Sequence, residues 1–127
     1  MNLNNGLSLA YIGDAYYELK IRMHLLAKGL TKVNDLHKEA IKYTSAKGQT
    51  LAMEALLDFD LTEEEEKIFK RGRNAESTRK PKNTDLATYH KATGFEALLG
   101  YLYLEGKNDR LAEIVNKCII TIEENSD

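Results

Sequence analysis

The stretch LAYIGDAYYELKIRMHLLAKG (Leu9–Gly29) decides the fold class. Leu9, Ile12, Tyr16, Leu19, Met23 and Leu26 recur at steps of three and four, the spacing of one face of an α-helix. Gly29 follows as a residue suited to the left-handed conformation with which helices commonly end. On the other side of the same helix, a step of 100° per residue places Ala10, Tyr17, Ile21 and Leu25 around Asp14. A helix apolar on both sides belongs in the middle of a bundle, so Asp14 is expected near the interior, with Glu18 one turn further on.

Helical spacing continues outward from this segment. Asn34 or Asp35 is expected to cap a helix reaching Tyr43, and Ser45 one that reaches about Phe59. Thr62 followed by Glu63 to Glu66 is a capped N-terminus with its acids set against the helix dipole, which explains the glutamate run without a metal. Leu86 to about Glu105 is a strongly apolar helix stopped by Gly106, and Asn108 to about Glu124 a final amphipathic one. Sustained β-alternation occurs nowhere, and the only proline is Pro81. The expectation is an all-α, single compact domain over residues 1–127.

Composition narrows the function classes. No stretch approaches a membrane span, and the opening residues lack the basic and apolar regions of a secretion signal, so a soluble, cytoplasmic protein is expected. Cys118 sits among apolar helix residues and is expected to be a buried, inert thiol. His24, His37 and His90 have no pairing at zinc-ligand spacing.

The net charge of −2 is unevenly spread. Between Lys67 and Lys91 there are eight Lys or Arg against two acids, a net +6 that leaves −8 for the rest of the chain. An acidic protein with one concentrated basic segment is suited to meet a polyanion there. The segment from about 71 to 85 lacks apolar periodicity and is long for a connection inside a domain, which points to a functional loop.

A second acid stands in apolar company. In FEALLGYLYLE (Phe95–Glu105), Ala92, Gly100 and Tyr103 surround Glu96, while Phe95, Leu98, Leu99 and Leu102 fill the other sides. Two desolvated carboxylates on central helices are either neutralised by an internal partner or hold a cation together. Small residues at 10, 92 and 100 would leave space beside them for an ion and its waters, and Mg²⁺ accepts one or two carboxylates with several waters. Spacing alone leaves both alternatives open.

LAYIGDAYYE (Leu9–Glu18) resembles the signature helix of the ribonuclease III family, and FEALLGYLYLE its second signature. Between them, KRGRNAESTRKPKNTD (Lys70–Asp85) is similar to the basic connector of the Mini-ribonuclease III branch, which lacks an appended double-stranded RNA-binding domain. The resemblance implies a helical homodimer that hydrolyses double-stranded RNA with Mg²⁺, for which Mn²⁺ can substitute. Asp14 falls on the family's catalytic aspartate and Glu96 on its metal-binding glutamate, with Glu18 able to contribute through water. Arg71, Arg73, Asn74, Arg79, Lys80, Lys82 and Asn83 would contact RNA, and Tyr11 would pack at the subunit interface, whereas Tyr16 and Tyr17 read as core or interface residues.

Two departures stand out. Larger members carry further acids where this chain has Ala10 and Thr93, a thinner site that the branch shares and that leaves the number of metals open. Few residues precede the signature helix, where the branch usually has an opening segment. By the same resemblance the RNA would be the large-subunit (23S) precursor of ribosomal RNA, with a ribosomal protein as a possible assistant in cleavage. Recognition of such a duplex should rest on shape and phosphates, with an affinity that falls steeply as salt rises. Two other classes compete: a catalytically silent RNA-binding module of a ribonucleoprotein, and a helical protein-interaction domain whose basic loop meets an acidic partner.

Overall fold

The computed structural model describes residues 5–58, 60–75 and 85–125. Within them the chain forms six helices: α1 (Gly6–Ala27), α2 (Val33–Thr44), α3 (Ala46–Leu57), α4 (Glu63–Arg73), α5 (Leu86–Leu104) and α6 (Asn108–Glu124). Among the described residues there is no strand, and no helix is long and apolar enough to cross a membrane.

The local signals explain most helix ends. Asn5 caps α1 by accepting from Leu7 N and Ser8 N, and Gly29 takes φ +97° just beyond its end. Ser45 caps α3, and Asp85 caps α5. Thr62 and Glu65 form a reciprocal capping box at α4. The start of α2 differs from expectation: its cap position is Lys32, whose side chain makes no capping bond, while Asn34 and Asp35 lie inside the first turn. Asp35 favours that end through the helix dipole instead.

The central element is α5, which touches α1, α3, α4 and α6. Its Phe95, Leu98, Leu99 and Leu102 are fully buried and meet Tyr17, Ile21 and Leu25 of α1, Met53 and Leu56 of α3, and Leu111, Ile114 and Cys118 of α6. Burial pushes the Cys118 thiol up to about 12, which makes it the inert thiol expected. The face that α1 buries is a correction to the sequence analysis. Ala10, Gly13, Tyr17, Ile21 and Leu25 are inside, whereas Leu19, Met23 and Leu26 are exposed. The reason is that α5 crosses α1 at Gly13, so the bundle lies on that side, and α1 is a flanking helix.

Two polar clusters tie the ends together. Arg110 of α6 donates from Nε and Nη2 to the buried Glu65 carboxylate, 2.7 Å each, and from Nη2 to Asp60 O at 2.6 Å, closing the turn between α3 and α4. Burial opposes the Glu65 charge, yet these bonds and those of Thr62 hold its carboxyl below the ordinary range.

At the other end Glu123 accepts from Lys28, from Tyr43 Oη at 2.8 Å and pairs with His24 Nε2 at 3.1 Å, joining α6 to the ends of α1 and α2. The Lys28 bond, helped by His24 and Tyr43, holds Glu123 at about 2, below the ordinary 4.5. A depressed carboxyl stabilises the fold above its unfolded value and loses that contribution as pH falls toward the folded one. The difference in melting temperature between wild type and Glu123→Gln is therefore expected to be full above pH 5 and to shrink as pH is lowered from 4.5 toward 2. A difference that stays constant through that window would mean that the cluster does not depend on the carboxylate charge.

Candidate active site

The two acidic residues singled out in the sequence meet where α1 and α5 cross. The crossing is a contact of backbones. A Cβ added to Gly13 would stand 1.7 Å from the carbonyl oxygen of Glu96, and one added to Gly100 would stand 1.9 Å from that of Leu9. Glycine at both positions lets the helix axes approach until main chain touches main chain. Asp14 follows Gly13 directly and Glu96 supplies the carbonyl against it, so the same contact brings the two carboxyl groups within hydrogen-bond reach of each other.

This changes the role expected of the small residues. The space at Gly100 is filled by the backbone of α1, and Ala10 packs with Leu9, Ile68 and Ala97 in an apolar cluster. They bring the helices together and leave no room for an ion on that side. The opening lies on the outer side of the crossing. There Asp14 is exposed, where the sequence suggested an interior position, because it stands at the rim of the α5 contact; Glu96 and Glu18 are half-buried.

Glu96 is the perturbed group of the site. Burial, then the hydrogen bond and negative charge of Asp14, and more weakly the charge of Glu18, push its carboxyl far above the ordinary carboxylate range, against a hydrogen bond from Gln49 that favours the charged form. Glu18 itself pairs with Arg22, 3.2 Å away. Among the described residues no three His, Cys, Asp or Glu side chains converge to enclose an ion. The donors present still suit a hard divalent cation: two carboxylates face one another with too little positive charge between them, and Mg²⁺ needs only one or two such ligands.

Gln49 escaped the sequence analysis. It is 3% exposed, on the first turn of α3. Its Nε2 donates to Thr44 O at 3.0 Å, and its Oε1 is buried without a partner among the described residues. A signal was visible: Gln49 heads the spacing Gln49, Ala52, Met53, Leu56, a polar residue at the start of a buried helical stripe.

The remaining candidates are spread around this centre. Arg71 and Arg73 lie in the last turn of α4, with Asn74 as its C-cap accepting from Arg73 Nε at 3.1 Å. Arg79, Lys80, Lys82 and Asn83 lie outside the described residues. Thr93 is buried and donates to Tyr89 O at 3.0 Å. Tyr17 is a core residue that donates to Tyr43 O at 2.9 Å, while Tyr16 is half-buried against Tyr103. Tyr11 is 80% exposed, beside an apolar hollow lined by Leu7, Ile12 and Leu104. The apolar groove between α1 and α2 reaches Glu18, but neither Asp14 nor Glu96 lines it; Asp14 faces open surface and Glu96 lies half-buried behind it.

A helical domain whose two carboxylates are set by a glycine crossing, next to a basic helix end, has the features of a phosphodiester-cleaving nuclease. Residues 7–107 match the Ribonuclease III domain, and the chain belongs to that family, which makes it an endoribonuclease by membership. It is similar over nearly its whole length to proteins named Mini-ribonuclease 3. The one from Streptococcus pneumoniae is 50% identical over 97% of each chain, and that from Enterococcus faecalis 52% over 97% of this chain and 94% of its own. A crystal structure of a Fusobacterium nucleatum protein, 35% identical, superposes with a TM-score of 0.81 over 91% of both chains.

Proposed function

We propose that the protein cleaves double-stranded RNA as a homodimer with Mg²⁺, which Mn²⁺ can replace, and that Asp14 and Glu96 of each subunit hold the cation. The observation that carries this reading is the backbone crossing that brings those two carboxylates together, Asp14 exposed and Glu96 half-buried. When bound there, the cation supplies an activated water and charge stabilisation at the scissile phosphate. The chain's own groups do the rest. Asp14 and Glu96 present oxygen donors, Glu18 adds negative charge one turn away and would accept from a bound water, and Arg71 and Arg73 take phosphates of the duplex.

A second subunit would cover Tyr11 and the apolar hollow beside it. Within the cell the fitting role is maturation of 23S precursor ribosomal RNA in the cytoplasm, where a ribosomal protein could present the duplex. The test is cleavage of a long RNA duplex, compared with a single strand of the same length, in Mg²⁺ and in EDTA, by wild type and Asp14→Asn. Expected are cuts in the duplex only, only with metal, and their loss in the variant while duplex binding persists. Binding of the duplex by wild type without cleavage in either metal would replace the enzyme with a silent RNA-binding module.

A further inference from the structure

The buried amide of Gln49 has a place in the site that packing does not explain. Its backbone is pinned: a Cβ on the preceding Gly48 would lie 2.4 Å from Lys42 O, so the first turn of α3 sits directly against the end of α2. The side chain is then held by its nitrogen end. One Nε2 hydrogen goes to Thr44 O at 3.0 Å, which also fixes which end of the amide is nitrogen, since a flipped amide would set oxygen against oxygen. The Glu96 carboxyl lies near enough to the same amide for its charged form to be favoured by it. That leaves Oε1, with no hydrogen-bond donor among the described residues and no contact with bulk solvent.

A buried carbonyl oxygen without a donor is costly, and natural cores seldom keep one without a use. A structural role accounts for the nitrogen end of the amide, which serves Thr44 O, and leaves the oxygen end unexplained.

We propose that Gln49 is a positioning residue: its amide nitrogen fixes the Glu96 carboxylate from the protein side, and its Oε1 accepts a hydrogen bond from a water in the shell of the cation held by Asp14 and Glu96. The inference rests on the cation site proposed above and adds a neutral third member to it. Mg²⁺ retains several of its waters in protein sites, so oxygen acceptors around it hold the shell as much as the direct ligands do. Outer partners of this kind typically tune metal affinity by about 10- to 100-fold when they are removed.

The experiment compares wild type, Gln49→Met and Gln49→Glu as intact protein. Free Mn²⁺ is titrated by its electron paramagnetic resonance signal, melting temperature is measured in EDTA, and kcat and KM are measured on duplex RNA across Mg²⁺ concentrations. Gln49→Met keeps the side-chain length and removes both the donor and the orphan oxygen. It is expected to melt in EDTA within a few degrees of wild type, the lost bond to Thr44 O being offset by removal of the unpaired oxygen, to bind Mn²⁺ about tenfold more weakly, to need correspondingly more Mg²⁺ for half-maximal cleavage, and to lower kcat with KM for RNA unchanged. Gln49→Glu, protonated on the oxygen that faces Thr44 O, restores an oxygen acceptor and should recover part of the Mn²⁺ affinity.

Wild-type Mn²⁺ affinity and kcat in Gln49→Met would overturn the proposal, as would a melting temperature in EDTA reduced enough to account for the lost activity. If wild type itself neither binds Mn²⁺ nor cleaves, the cation site fails, and Gln49 with it. The two failures are thus told apart by the wild-type arm.

Discussion

Gly13→Ala is expected to be the most damaging single-methyl change in the molecule. The new Cβ would have to occupy a point 1.7 Å from Glu96 O, 2.6 Å from Glu96 C and 2.9 Å from Gly100 N, and all three atoms are main chain in the middle of a helix. None can rotate away, so α1 and α5 must separate by about 1.5 Å or more to restore ordinary contact. That parts the largest helix interface of the core, at a cost of about 3 kcal/mol or more, the upper end for overpacking. Two readouts check this. Thermal unfolding should shift by about 10 °C or more, or show no cooperative transition. Any fraction that folds should lose cleavage, because the same displacement pulls Asp14 from Glu96.

Gly106→Ala is the control. Gly106 has φ +73° with nothing near its Cβ position, so only backbone strain of about 1–2 kcal/mol applies, and activity should survive. Stability of Gly13→Ala within about 1 kcal/mol of wild type would show that the crossing is softer than a main-chain contact permits.

Glu96→Gln should move stability and activity in opposite directions. Without a cation, wild type must either ionise Glu96 beside Asp14 in a poorly hydrated place or keep it protonated. The sign follows from its raised value. A carboxyl that holds its proton more tightly when folded makes the folded state progressively less favourable as pH rises above the ordinary 4.5. The amide removes that dependence while keeping size and one hydrogen-bond acceptor. In EDTA, Glu96→Gln is therefore expected to be about 1–2 kcal/mol more stable than wild type at pH 8, with the gap narrowing to nothing by pH 5. Added Mg²⁺ should raise the melting temperature of wild type alone. Cleavage by the variant should fall by about a thousandfold or more, the scale on which lost charge stabilisation at a reacting phosphate is felt. Equal melting temperatures in EDTA at every pH would show that the two carboxyls do not strain each other.

The helices and the two acids were legible because their signals are local. Ser45, Thr62, Gly29 and Gly106 each do what their chemistry dictates within a few residues, and Glu96 stands in a run whose neighbours are buried whichever way the helix turns. The exposed face of α1 was not legible. Leu19, Met23 and Leu26 have the same period as Tyr17, Ile21 and Leu25, and only the position of α5 decides between the two stripes. The same tertiary fact hid the meaning of Gly100 and Ala10, since a small residue looks alike in sequence whether it makes space or lets a backbone fill it. Gln49 and Arg110 depend on partners far along the chain, Glu96 for one and Glu65 for the other. Only the apolar spacing behind Gln49 gave any sign that its polarity was out of place.

The glycine contacts extend beyond the carboxylates. A Cβ on Gly6 would touch Arg71 O at 2.9 Å, and one on Gly72 would lie 2.5 Å from Ala97 Cβ and 3.0 Å from Gly94 Cα. The last turn of α4, with Arg71 and Arg73, is thereby clamped to the same two helices that carry Asp14 and Glu96. In mechanical terms the protein is a caliper with a locked jaw. On the proposed activity, the interval between a gripped phosphate and the severed bond is a dimension of the folded body, so it would stay the same from one RNA to the next, however the duplex varies in sequence.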